Sequence, residues 1–162
     1  IIDSPVPAIR QLMDVYEQTG CSVIGVKEVP RENISSYGVI GGENLQLPAA
    51  PELHGVYQVN QLIEKPQPEK APSNLAIIGK YIVTPAVFEC IATGGRSAGG
   101  EQRLIDGFEQ LMKKEKIYAR ILEGTRYDTG QKIGLITATI DFALKRPDIG
   151  PELRNYLKNL KI

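Results

Sequence analysis

Three prolines, Pro66, Pro68 and Pro72, stand between two apolar runs, "HGVYQVNQLIEK" at 54–65 and "NLAIIGKYIVT" at 74–84. Proline has a fixed φ and no backbone N–H, so neither run can pass through this stretch as one central strand. The chain must make two strands, and the first must stop at adjacent Glu64 and Lys65. In that first strand Tyr57, Val59 and Ile63 are expected to share a face under simple alternation. The second run is nearly all apolar, which predicts a central strand covered on both faces.

The flanking segments alternate helix and strand. Ile9, Leu12, Met13 and Tyr16 repeat at helical spacing up to Gly20, and "CSVIGVKEV" follows as a short β-branched strand. This helix-to-strand order points to an α/β crossover. "SSYGVIGGENLQL" reads as a short strand broken by glycines. "TPAVFECI" starts a helix with Thr84 as cap and Pro85 in its first turn. "ATGGRSAGG" reads as a hinge or surface loop; Leu104, Ile105, Phe108, Leu111 and Met112 then form a helical stripe, and "KIYARILEG" a strand. Ile133, Ile136, Ile140 and Ala143 repeat the helical period, and "PELRNYLKNLKI" predicts a polar final helix. The expectation from this alternation is an α/β chain, a single domain over 1–162.

Composition narrows the partners. The 162 residues carry 19 Lys and Arg against 19 Asp and Glu, and no long basic run, which argues against general nucleic-acid binding. No stretch approaches the roughly 20 apolar residues of a membrane-spanning helix, and a cytoplasmic location is expected. Cys21 and Cys90 have no metal-type spacing and read as free thiols. His54 is the single histidine, with no partners placed to complete a triad, and reads as a surface residue; the lysines of "MKKEK" read as a solvated helix end.

Chemistry is concentrated at few positions. A carboxylate at Glu64 suits sugar hydroxyls and the Lys65 ammonium suits a phosphate monoester. Strand neighbours point to opposite faces, so both can reach one ligand only where the strand end twists or bulges. A solvated surface pair is the plain alternative. In "RYDTGQK", Asp128 lies at a strand-to-helix junction, where a carboxylate can hold Mg²⁺ or, as the alternative with Thr129, cap the helix. Gly38 in "YGVIGG" allows close backbone approach, as does any turn glycine. "ATGGRSAGG" has neither the Lys-Ser/Thr ending of a Walker motif nor dinucleotide-fingerprint spacing.

Taken in order, "VYEQTGCSVIGVKEVP", "YGVI", "IEKPQPEKAPSNLAIIGKYIVTP", "AGGEQRLID" and "EGTRYDTGQKIGLITATIDFALKRPDIG" resemble the bacterial UTP-glucose-1-phosphate uridylyltransferases across nearly the whole chain. The resemblance implies a nucleotide-diphospho-sugar transferase, Rossmann-like fold, with a mixed sheet flanked by helices. It implies formation of UDP-glucose and pyrophosphate from UTP and glucose 1-phosphate with Mg²⁺. By the same resemblance Gly38 and Glu64 contact the glucose, Lys65 its phosphate, and Asp128 the metal, which makes Lys65 and Asp128 the catalytic pair. Tyr81 and the backbone near Ile77 line the sugar pocket.

The family's G-x-G-T-R nucleotide loop and its Asp-Asp pair have no match here, so the expectation is a C-terminal, sugar-phosphate portion with little turnover alone. Without its first strands such a domain exposes a sheet edge and apolar helix faces, which predicts self-association, a homo-oligomer, or marginal stability. Arg103 and Ile105 depart from the family's Gln-Leu-Thr-Asp run; an arginine and an isoleucine in place of amide and hydroxyl alter the local hydrogen bonding that supports the sugar pocket, or mark a divergent member. Two rivals fit the same residues: a thymidylyltransferase for the same sugar phosphate, and a non-catalytic sugar-phosphate binding or assembly module.

Overall fold

A computed structural model describes residues 1–93 and 103–161. The strands are β1 (Ile2–Asp3), β2 (Val23–Glu28), β3 (Gly38–Leu45), β4 (Val56–Glu64), β5 (Leu75–Ile82), β6 (Tyr118–Ile121) and β7 (Thr125–Arg126). The helices are α1 (Ala8–Thr19), α2 (Pro85–Thr93), α3 (Leu104–Leu111), α4 (Lys132–Lys145) and α5 (Gly150–Asn159). The chain divides into two compact units, Val6–Glu123 and a smaller one of Ile1–Pro5 with Gly124–Ile162. The glycine-rich run read as a hinge or surface loop lies, from Gly94 on, outside the described residues. No described helix is long and apolar enough to cross a membrane.

In the larger unit five strands pair in the cyclic order β2-β5-β3-β4-β6, with β6 returning to β2. Among the described strands only the β2–β6 pairing is parallel, so the sheet is mixed. One face carries the main core, where Ile24, Val26, Ile40, Val59 and Leu62 meet Val87 of α2 and Ile105, Phe108 and Leu111 of α3. The other carries a smaller cluster of Ile34, Val39, Ala71 and Ala76. Fully burying a side chain such as Phe108 contributes about 1.5–3 kcal/mol.

Three expectations about faces change. β3 is continuous through its glycines, and the irregularity falls instead on the partner strand: Gly41 pairs with Gln61 but Gly42 with Val59, leaving Asn60 as an extra residue. Beyond this bulge alternation is inverted, so Leu62, and not Ile63, joins the core with Val59. β5 begins buried but is exposed at Gly79 and Lys80, so it is not covered on both faces.

In α1 the buried residues are Gln11, Leu12 and Val15, while Ile9, Met13 and Tyr16 are exposed. The helix is rotated because Gln11 is used internally: its amide donates to the carbonyls of Val6 and Glu123 and accepts from the Glu123 N–H. Thr84 likewise does not cap α2 through its hydroxyl, which bonds Ser22 and Glu115.

The smaller unit pairs β1 with β7 antiparallel and contains α4 and α5. The Asp3 carboxylate is ion-paired with Lys145. Along α4 only Ala138 is buried, and Ile133, Leu135 and Ile136 are exposed.

Candidate functional site at the end of strand β4

Gly38 opens β3 directly opposite Glu64, the last residue of β4. Both lie on the core face. A Cβ placed on Gly38 would stand 2.9 Å from Glu64 Oε2 and 3.3 Å from the δ-methyls of both Ile77 and Ile105. The glycine thus leaves room for the carboxylate between two apolar side chains, and any larger residue would displace it.

Lys65 resolves the geometric problem of adjacent strand residues. Its backbone is left-handed at φ 47°, while its N–H still donates to the Tyr37 carbonyl at 3.0 Å and extends the ladder by one bond. The sharp change of backbone direction brings Nζ to 4.0 Å from Glu64 Oε1, with the Lys65 side chain exposed and Glu64 half-buried. An exposed pair of this kind contributes only about 0–1 kcal/mol, so stability does not explain a strained lysine before a proline.

Tyr81 completes the same face. Its ring lies 5.7 Å from that of Phe108, and it packs against the main core together with Ile77. Burial, and then the nearby Glu64 charge, push the Tyr81 phenol above its ordinary range, so it stays a neutral hydroxyl donor at physiological pH. Above it, α3 begins with the Asp106 carboxylate accepting the Arg103 N–H at 3.1 Å. The departure at Ile105 falls beside Gly38 and Glu64, as an apolar side chain.

Asp128 belongs to the smaller unit. One carboxylate oxygen accepts from Arg126 Nη2 at 3.2 Å and the other from the Gly130 N–H at 3.2 Å. The Asp128 carbonyl accepts from Gln131 N at 3.0 Å. Neither Asp128 nor Thr129 caps α4, whose N-cap position is Gln131 without a side-chain cap bond. Gly134 packs so tightly on the Asp128 carbonyl that a Cβ there would overlap the oxygen. The adjacent Tyr127 hydroxyl donates to Asp141 Oδ2 at 2.6 Å, which anchors the turn.

Within the larger unit the structure brings Gly38, Glu64, Lys65 and Ile77 together at the end of β4, while Tyr81, near the far end of β5, packs on the same core face. An apolar cleft of about 450 Å³ lined by α4 and α5 residues such as Ile140, Ala143, Leu153 and Tyr156 includes none of them and not Asp128. His54 is exposed, and Cys21 and Cys90 are free thiols. Among the described residues no three His, Cys, Asp or Glu side chains cluster as a metal site. A single carboxylate, as at Asp128, still fits Mg²⁺ chemistry, in which substrate phosphates and water supply most of the oxygen ligands. Sequence reasoning missed Arg126, Gly134 and the Tyr127–Asp141 bond; of these only the glycine of "RYDTGQKIG" left a visible trace.

The sequence pattern of nucleotidyl transferases matches residues 2–144. The chain belongs to that family. A UTP–glucose-1-phosphate uridylyltransferase of Staphylococcus epidermidis is 46% identical over 162 residues, 100% of this chain and 54% of that protein. The enzyme of the same name from Streptococcus pneumoniae serotype 4 is 43% identical over 158 residues, 98% of this chain and 51% of the relative. A crystal structure of UDP-glucose pyrophosphorylase complexed with UDP-glucose superposes with a TM-score of 0.78 at 36% identity, covering 90% of this chain and 53% of that one. The chain spans about half the length of the curated relatives it matches.

Proposed function

We propose that this chain supplies the sugar-phosphate side of a UTP–glucose-1-phosphate uridylyltransferase site. The observation that carries the reading is the junction of Glu64 and Lys65: a half-buried carboxylate over Gly38 and a cation 4.0 Å away, reached through a left-handed backbone. Glu64 accepts hydrogen bonds from sugar hydroxyls, with Ile77, Ile105 and Tyr81 walling the ring. Lys65 binds the phosphate monoester and offsets its charge as a compact point cation.

In the reaction a phosphate oxygen of glucose 1-phosphate attacks the α-phosphorus of UTP, one P–O bond forms, and the bond to the departing pyrophosphate breaks. Lys65 holds the attacking phosphate in line and lowers repulsion between two anions. Asp128, positioned by Arg126 and Gly130, is our candidate ligand for Mg²⁺, which when bound neutralises phosphate charge. The names of the relatives support UTP over dTTP as nucleotide. We also place the protein in the cytoplasm and as a homo-oligomer; exposed Ile133, Leu135 and Ile136 on α4 support self-association.

Calorimetric titration with glucose 1-phosphate and UDP-glucose, with and without Mg²⁺, tests this. Saturable binding to the wild type, lost in Lys65→Ala and retaining its Mg²⁺-independent part in Asp128→Ala, is expected. Binding unchanged in Lys65→Ala would remove the phosphate role.

A further inference from the structure

We propose that the bulge at Asn60, permitted by Gly42, is the positioning device that turns Glu64 onto the face shared by Gly38, Ile77 and Ile105. The use of that face for a sugar rests on the function proposed above; the aiming itself does not.

Val59 and Glu64 are five positions apart, so in an unbroken strand their side chains would point to opposite faces. Both nevertheless lie on the core face. Asn60 has no counterpart on β3 and absorbs the odd step: Val59 pairs with Gly42, Gln61 with Gly41, and Glu64 with Gly38. The same half-turn sends Ile63 to the opposite side, beside its partner Val39, whose side chain belongs to the smaller cluster. Asn60 itself is exposed and has no partner on β3 in the ladder.

Gly42 makes the bulge possible. A Cβ there would overlap the Gln58 carbonyl oxygen and stand 3.1 Å from its carbon and 3.2 Å from Val59 Cα. A backbone oxygen this close cannot swing away as a side chain does. In a regular ladder the pleat keeps Cβ atoms clear of the facing carbonyls, so the requirement for glycine belongs to the bulge. Gly42 and Asn60 thus control a carboxylate several residues distant, at the other end of the hairpin.

The relation is testable because two changes should cancel. Gly42→Ala removes room for the bulge while the extra residue remains, so Glu64 must leave the core face or the strand must unpair. Deleting Asn60 removes the extra residue, and a regular strand then restores the pairing of Glu64 with Gly38 even with alanine at 42.

The readout is the NOE between Glu64 side-chain protons and the δ-methyls of Ile77 and Ile105 in the full 162-residue chain, labelled at isoleucine methyls. It is expected in the wild type and in the Asn60 deletion, lost in Gly42→Ala, and regained in Gly42→Ala combined with the deletion. If Gly42→Ala does not fold, recovery of fold and NOE in the combined variant still supports the proposal. An NOE retained in Gly42→Ala, or a combined variant that is unfolded or lacks the NOE, would overturn it. Glucose 1-phosphate added to the wild type is read on the same methyl signals: unmoved shifts would remove the sugar function while leaving the aiming intact.

Discussion

A comparison of Lys65→Ala with Lys65→Gly separates the backbone of the β4 terminus from its charge. Both variants lose the ammonium and its 4.0 Å approach to Glu64, so those contributions cancel. Alanine retains a Cβ at φ 47°, where a left-handed conformation costs about 1–2 kcal/mol. Glycine escapes this but gives the unfolded chain more freedom, a loss of about 0.5–1 kcal/mol. The glycine variant should therefore be the more stable by about 0.5–1 kcal/mol. With a urea dependence of about 2 kcal/mol per molar, the midpoints should differ by about 0.3–0.5 M. Equilibrium urea unfolding followed by circular dichroism measures this, and calorimetry should show equal loss of glucose 1-phosphate binding in both. A glycine variant no more stable than the alanine one would refute the strain argument. Lys65 would then adopt its geometry without cost, and the case for a backbone held in place for ligand binding would weaken.

Gly134→Ala should force the Asp128 carbonyl away from α4, lowering the thermal midpoint and weakening any Mg²⁺-dependent increment of ligand binding, while Gly130→Ala, whose Cβ meets only Asp128 Oδ1 at 3.3 Å, should do so less. The Tyr127 phenol is pushed up to about 12, first by its hydrogen bond to Asp141 and then by burial. Because the folded value is raised, its stabilisation is whole below about pH 10 and is lost as pH rises through about 12, so the stability gap between wild type and Tyr127→Phe should shrink over that window in urea titrations. Arg120 is buried, with Nη2 on the exposed Glu123 carboxylate and Nε without a partner among the described residues. Arg120→Met should accordingly be neutral or stabilising, by up to about 1–4 kcal/mol in denaturant unfolding, and clear destabilisation would contradict that account.

The residues of the candidate site were legible because their signals are local. Proline at 66 ends a strand wherever the strand lies, and a carboxylate beside an ammonium at that end is visible without knowing what surrounds it. The direction of those side chains was not legible, because it depends on a count across two strands. Period-two alternation run straight through "VYQVNQLIE" assigns Ile63 to the core and turns Glu64 away; one unpaired residue reverses both. The paired glycines of β3 do mark a bulge, as glycine inside a strand often does, but they sit on the strand opposite the extra residue and cannot name it. α1 departs in a similar way: of Ile9, Leu12, Met13 and Tyr16 only Leu12 is buried, and it shares the inward face with Val15 and Gln11, whose amide bonds the Val6 and Glu123 backbone more than a hundred residues apart. Hydrophobic pattern alone treats a glutamine as surface, whereas the buried Gln11 amide has its polar atoms met by backbone, which avoids the roughly 1–3 kcal/mol that an unsatisfied buried polar group costs. What the sequence withholds is thus phase, not content: which side of a strand or helix faces inward is decided by partners distant along the chain, and at β4 that single decision determines whether Glu64 stands over Gly38 beside Ile77 and Ile105 or points to the opposite face.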